Sequence, residues 1–143
     1  MAASKYCLLF LSVLLIACAS TPATVVEDDR ISLRDGGPNT GTWDSKNVSV
    51  DYRYTKQSGT IELSVSPRAK RQFSELTVWA LFVDAKGNVI GKQEVYSSGT
   101  RPGSSDLGNN FQIPSGTTYL SFNARLLAPA TTPRDMYHPR VSR

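Results

Sequence analysis

Apolar and polar residues alternate strictly along two neighbouring segments of this chain, and this alternation limits the fold more than any other feature. The apolar positions are Val48, Val50, Tyr52 and Tyr54 in the first segment and Ile61, Leu63 and Val65 in the second. Because side chains along a β-strand point to opposite faces in turn, a period of two predicts strands with one buried face. Lys56-Gln57-Ser58-Gly59 supplies turn residues between the segments, so the pair is predicted to form a hairpin.

Four further strands are predicted after this hairpin. The segment from Leu76 to Val83 is apolar at almost every position, which predicts a strand covered on both faces. Asp84 to Asn88 provides a hairpin loop in which Gly87 can take a positive φ, and a more polar strand returns from Val89 to Tyr96. The last strand is predicted at 119–127, where apolar and polar residues again alternate, after a short strand at 111–113.

No segment shows helical spacing over a useful length. The sequence therefore predicts an all-β fold, a small immunoglobulin-like β-sandwich over residues 43–127. Residues 18–42 are polar and contain Pro22, Pro38 and Gly36-Gly37, so they are predicted to be a flexible tether with one short extended piece at 30–34. Residues 128–143 are polar, basic and rich in proline, and are predicted to be a disordered tail.

The first 17 residues have the organisation of a secretory signal peptide. Lys5 is the only charged residue, and an apolar run follows from Cys7 to Ala17. This run is shorter than the roughly 20 residues that a permanent membrane-spanning helix needs. We therefore expect residues 1–17 to be removed and to take no part in the fold.

The end of this run, Leu15-Ile16-Ala17-Cys18, resembles the lipobox of bacterial lipoprotein precursors. The resemblance implies that diacylglycerol joins the sulfur of Cys18, that signal peptidase II cuts between Ala17 and Cys18, and that the new amine is acylated. Ala19 stands where many bacteria place an Asp as a retention signal, which implies an outer-membrane position. We expect the anchored domain to face the periplasm. Ordinary signal-peptidase cleavage after Ala19 is the alternative, because Ala17-Cys18-Ala19 also satisfies the small-x-small rule.

A second resemblance concerns the mature chain. Residues 76–90 place an apolar strand before an Asp-x-x-Gly turn, and this hairpin is similar to one found in small, uncharacterised β-sandwich lipoproteins of the bacterial envelope. The resemblance implies the fold and carries over no functional residue.

Four residues of the predicted domain are candidates for contact with a partner. Ser66-Pro67 is predicted to end the second strand, which leaves Arg68, Lys70 and Arg71 on a basic loop. These cations can meet lipid phosphates or an acidic partner, or can simply be solvated. Trp43 can serve as an exposed anchor, but tryptophan is usually buried, so we predict that it closes one end of the core.

Catalytic, metal and nucleic-acid functions find little support in the sequence. The only histidine is His138, no cysteine follows Cys18, and the common hydrolase, zinc-protease and phosphate-loop motifs do not occur. The Asp84 loop has Lys86 and Val89 where a calcium loop needs an acid and a glycine. A net charge of +4 is too small to indicate nucleic-acid binding.

We therefore expect a non-catalytic, lipid-anchored envelope protein with no cofactor, which binds or supports another envelope component. The alternative is a freely secreted β-sandwich that binds a small molecule or a glycan.

Overall fold

Antiparallel strands in two sheets make up most of the chain that the computed structural model describes, which comprises residues 21–98 and 110–129. The strands are β1 (Ile31–Ser32), β2 (Gly36–Asp44), β3 (Val48–Gln57), β4 (Thr60–Ala69), β5 (Glu75–Val83), β6 (Val89–Ser98), β7 (Asn110–Gln112) and β8 (Tyr119–Leu127). One sheet has the order β1-β8-β5-β6, and the other has the order β2-β3-β4-β7. The prediction of an all-β sandwich is confirmed.

The hairpin predicted from the alternating segments is β3 and β4. The two strands pair in continuous register, so that Tyr54 lies opposite Leu63 and Arg53 lies opposite Ser64. Tyr54 and Leu63 are buried in the core, whereas Arg53 and Ser64 are exposed on the outer face. Because a shift of one residue would turn every apolar side chain to solvent, the period-two pattern fixes this register.

Strand β5 lies in the middle of its sheet between β8 and β6, and it is covered on both faces as predicted. Leu76, Val78 and Phe82 face the other sheet and pack in the main core. Leu81 and Val83 face away from it and pack with Val25 in a second, smaller cluster.

The N-terminal boundary of the sandwich differs from the prediction, because the buried Val25 and most of strand β2 lie within the segment 18–42 that was expected to be a tether. Strand β1 falls within the short extended piece that was expected at 30–34. Val25 donates its backbone N–H to the carbonyl of Gly87, and Ala23 accepts a hydrogen bond from the N–H of Val89. Arg30 donates to the carbonyl of Val25 at 2.9 Å. Residues 23–25 therefore belong to the sandwich. Edge strand β2 is joined to β3 by backbone hydrogen bonds, which need no apolar pattern in the sequence.

Strand β4 also continues past Pro67, which was expected to end it. The N–H of Lys70 donates to the carbonyl of Asn47, so the backbone groups of Lys70 point toward β3. Because this direction alternates from residue to residue along a strand, the nitrogen of Pro67 points away from β3, toward the open edge of β4. A proline is tolerated at such an edge because no neighbouring strand needs its missing N–H. As a result, Arg68 lies on a strand, and the loop begins only after Ala69.

Several predicted segments lie outside the described residues. They are the signal peptide at 1–17, the lipidated Cys18 with the residues that follow it to Ser20, and residues 130–143 of the predicted tail.

We predict that Val25 stabilises the sandwich and that its neighbour Val26 does not. Val25→Asp places a charge against Leu81 and Val83 and should lower the free energy of unfolding by about 2 kcal/mol. Val26 is 64% exposed, so Val26→Asp should change it by less than about 0.5 kcal/mol. Urea denaturation of the two variants measures the difference. Equal stability would mean that the N-terminal segment does not cover this face.

Candidate functional site

Arg68, the first of the predicted basic residues, is held on the outer face of the sheet. Its guanidinium lies 3.0 Å from a carboxylate oxygen of Asp51 on the neighbouring strand β3. Asp51 also accepts a hydrogen bond of 2.7 Å from the hydroxyl of Thr42 on β2. The charge of Arg68 is therefore balanced within the sheet, and this residue links three strands rather than presenting a free cation.

Lys70 joins the end of β4 to the turn between β2 and β3. Its ammonium lies 2.7 Å from a carboxylate oxygen of Asp44 and donates to the carbonyl of Ser45 at 2.7 Å. The hydrogen bond from Lys70 lowers the pKa of Asp44, and a hydrogen bond from Ser49 adds to this effect. The charge of Lys70 is therefore also largely compensated.

Arg71 differs from the other two cations, because it forms no ion pair with any residue of the described chain. It lies with Phe73 on the loop between β4 and β5, and Phe73 is 39% exposed. A surface depression of about 550 Å³ at this point is lined by Ala69, Lys70, Arg71, Gln72, Phe73 and Pro129. Ser74 fixes the base of the loop by donating its N–H to the carbonyl of Leu127 at 2.8 Å.

The loop thus presents an uncompensated guanidinium beside an accessible aromatic ring. A guanidinium can bind a carboxylate in a two-pronged geometry, and an exposed ring can bury an apolar side chain. We refer to Arg71, Gln72 and Phe73 with the depression around them as the basic end of the sandwich.

Trp43, the fourth candidate, belongs to the core. It is only 9% exposed, and its ring centroid lies 6.1 Å from that of Phe122. Its indole N–H is buried and has no hydrogen-bond partner within the described residues. The expectation that Trp43 closes one end of the core agrees with this position, which leaves its ring unavailable as an exposed anchor.

Asp84 organises the hairpin loop between β5 and β6. Its carboxylate accepts hydrogen bonds from the N–H groups of Lys86 and Asn88, both at 2.9 Å, and from the amide side chain of Asn88 at 3.0 Å. These bonds, first of all that from the Asn88 side chain, lower the pKa of Asp84. Gly87 has φ of 93°, in agreement with the predicted positive φ.

The structure also contains a cleft that was not predicted. It lies between β1 and β2, has a volume of about 480 Å³, and is lined by Ile31, Ser32, Arg34, Pro38, Asn39, Thr40, Tyr52 and Tyr54. Tyr54 fixes one wall, since its hydroxyl donates to the carbonyl of Ser32 and accepts from the N–H of Arg34. Burial raises the pKa of Tyr52, whose ring lies across Gly41. The cleft forms where the chain crosses between sheets, and no local motif signals such a crossing.

Cys18 and Ala17, the predicted sites of lipidation and cleavage, lie outside the described residues, as does His138. Across residues 21–98 and 110–129, no group of three or more His, Cys, Asp or Glu side chains is placed to hold a metal ion. The same residues include no helix with the length and apolar character needed to span a bilayer.

Lys70→Met should reduce the acid sensitivity of the fold, because it removes the partner that lowers the pKa of Asp44. Ionised Asp44 stabilises the wild type fully above its ordinary value of 3.8, and this stabilisation is lost as the pH falls through the lower value of the folded state. The variant should therefore lose less free energy of unfolding between about pH 5 and pH 2, measured by urea titrations. Arg71→Met is the matched control, and an equal change in both variants would contradict the assignment.

Models of protein families, curated proteins and solved structures were compared with this chain, and none of them matches it.

Proposed function

We propose that this protein is a lipid-anchored component of a bacterial cell envelope, without catalytic activity, that binds another envelope protein. The lipobox sequence Leu15-Ile16-Ala17-Cys18 supports the anchor, and Ala19 supports an outer-membrane position. The proposal places the domain on the periplasmic side. In this proposal the sandwich is the binding body, and its basic end is the contact surface.

The positions of residues 23–25 and of the basic end support this division of roles. The chain joins the sandwich beside the turn between β5 and β6, where Ala23 and Val25 are hydrogen-bonded to Val89 and Gly87. The basic end lies at the start of β5, and a nine-residue strand is about 26–30 Å long. A partner can therefore reach Phe73 without displacing the segment that leads to Cys18.

The observation that carries the proposal is Arg71, which no carboxylate of the described residues pairs with, beside the exposed Phe73. Arginine and aromatic residues supply much of the binding energy at protein interfaces, and the neighbouring cations Arg68 and Lys70 are already paired with carboxylates. We therefore expect the partner to present a carboxylate next to an apolar side chain. Confinement to one membrane raises the effective concentration of both proteins, so a weak contact is sufficient.

The anchor is tested by metabolic labelling with palmitate. Cys18→Ala should abolish incorporation of the label and move the protein from the detergent-rich phase to the aqueous phase in a Triton X-114 separation. Cys7→Ala is the matched control, because Cys7 lies inside the predicted signal peptide, and it should leave both readouts unchanged. Labelling that survives in Cys18→Ala would overturn the anchor.

The contact surface is tested by site-specific photo-crosslinking in cells. A crosslinking residue in place of Phe73 should trap one defined envelope protein, and Arg71→Glu in the same chain should reduce the yield several-fold because it repels the expected carboxylate. The same crosslinker at Ser64, an exposed position on the outer face of β4, is the control. A yield that Arg71→Glu does not change would exclude Arg71 from the contact.

The cleft between β1 and β2 favours a second candidate function, a freely secreted module that binds a small molecule or a glycan. Its volume of about 480 Å³ falls within the range of small-molecule sites, and Arg34, Asn39 and Tyr52 supply polar groups at its wall. The mass of the mature protein separates the two candidates. A chain that starts at Ser20 and carries no lipid would favour the secreted module, whereas a lipid mass on Cys18 would favour the anchored one.

A further inference from the structure

Strand β8 leaves most of its outer edge without a partner in the described part of the chain. On one side, β8 pairs with β5 along the whole length from Tyr119 to Leu127 without a register shift. On the other side, β1 pairs only with Tyr119 and Leu120. The segment from Ser121 to Leu127 is therefore a regular, extended strand with one side that no residue of 21–98 or 110–129 pairs with.

The backbone groups that face this free side can be identified from the hydrogen bonds to β1. Leu33 donates its N–H to the carbonyl of Thr118, and in an antiparallel ladder the bonding direction alternates at every residue. The N–H and C=O groups of Phe122, Ala124 and Leu126 therefore point to the open edge. Asn123 and Arg125 point their backbone groups toward β5 and carry exposed side chains on the outer face.

The open edges of β2, β4 and β6 carry features that oppose strand addition, whereas this segment does not. Strand β2 contains Pro38 and a register irregularity between Gly36 and Asn39. Strand β6 has two irregularities in its pairing with β5 and carries Lys92 and Glu94. The part of β4 beyond its pairing with β7 contains Pro67. Prolines, bulges and charges are the usual means by which proteins protect an edge, and residues 121–127 contain only Arg125.

The free segment is complementary to itself. Ala124 is its middle residue, so a two-fold axis at Ala124 aligns the whole segment of one copy antiparallel to the whole segment of a second copy. In this register Ala124 pairs with Ala124 of the second copy, and Phe122 pairs with its Leu126. These are the residues whose backbone groups face the edge, so each donates one hydrogen bond and accepts one.

The side chains also agree with this register. On the inner face, Phe122 lies opposite Leu126 of the second copy, and the small Ala124 residues meet at the axis. On the outer face, Asn123 lies opposite Arg125 of the second copy, so no two like charges are placed directly opposite each other. We propose that two copies of this protein associate through antiparallel pairing of β8, which joins their β1-β8-β5-β6 sheets into one continuous sheet.

Disulfide crosslinking tests the register. Two full-length chains with different tags, one carrying Asn123→Cys and the other Arg125→Cys, are co-expressed, and the cells are treated with a mild oxidant. Asn123 of one copy and Arg125 of the other form a non-hydrogen-bonded pair, in which the Cα atoms lie about 4.5 Å apart. A disulfide spans this distance, so a dimer that carries both tags is expected. Two Asn123→Cys chains are the matched control, because these residues lie diagonally at about 7–8 Å and should crosslink little. Tagged wild-type chains show how much crosslinking arises from Cys18 alone.

Charge substitution at Asn123 provides a second, independent measurement. Asn123→Asp places a carboxylate opposite Arg125 on both sides of the axis and should tighten the dimer roughly 2- to 30-fold, whereas Asn123→Arg should weaken it by a similar factor. The dimer constants are measured by sedimentation equilibrium of the full-length chains in detergent. Ser64→Asp and Ser64→Arg, on the other sheet, should leave the constant unchanged.

A chain that stays monomeric at the highest concentration reached would overturn the proposal, as would a dimer in which Asn123→Asp and Asn123→Arg have the same effect. Crosslinking of the control pair at the same rate as the test pair would overturn the register. The inference does not depend on the lipid anchor, because Cys18→Ala should dimerise as the wild type does. Failure of the pairing and failure of the anchor are therefore distinguishable.

Discussion

The burial of strand β5 on both of its faces is the constraint on which the rest of this structure depends. Leu76, Val78 and Phe82 require the opposing sheet, and each such side chain contributes about 1.5–3 kcal/mol when it is removed from water. Leu81 and Val83 require a second cover on the other face, and Val25 provides it. The N-terminal segment is therefore part of the domain, although most of its residues are polar and exposed.

The parts of the fold that the sequence predicts are those in which apolar side chains set the structure. Tyr54, Leu63 and Leu120 occupy alternating positions, and each is buried as the period-two rule requires. The parts that escape prediction are held mainly by backbone hydrogen bonds. Strand β2 has one buried side chain, Trp43, and its pairing with β3 does not depend on an apolar pattern. Val25 is a single apolar contact within a polar stretch, and no periodicity marks it.

The candidate site likewise has one part that the sequence reveals and another that depends on how the strands pair. The cluster of basic residues at 68–71 is visible in the sequence, but which of its cations remains available is decided by pairing across strands. Asp51 reaches Arg68 because β3 and β4 place Ser49 opposite Arg68, so Asp51 lies one diagonal step away. Asp44 reaches Lys70 from the last position of β2. Only Arg71 lies beyond these carboxylates, and its availability follows from the observed end of β4 at Ala69.

The proposed anchor and the proposed strand pairing together restrict how the protein lies at a membrane. Five residue steps separate Cys18 from Ala23, so the tether spans at most about 18 Å. Antiparallel pairing of β8 places the N-terminal ends of the two sandwiches at opposite ends of the joined sheet, and each strand is about 26–30 Å long. If the strands stood upright on the membrane, one of the two tethers would be too short to reach the lipid. A dimer with both copies anchored must therefore lie with its strands along the surface, with each basic end directed sideways toward a neighbour in the same membrane.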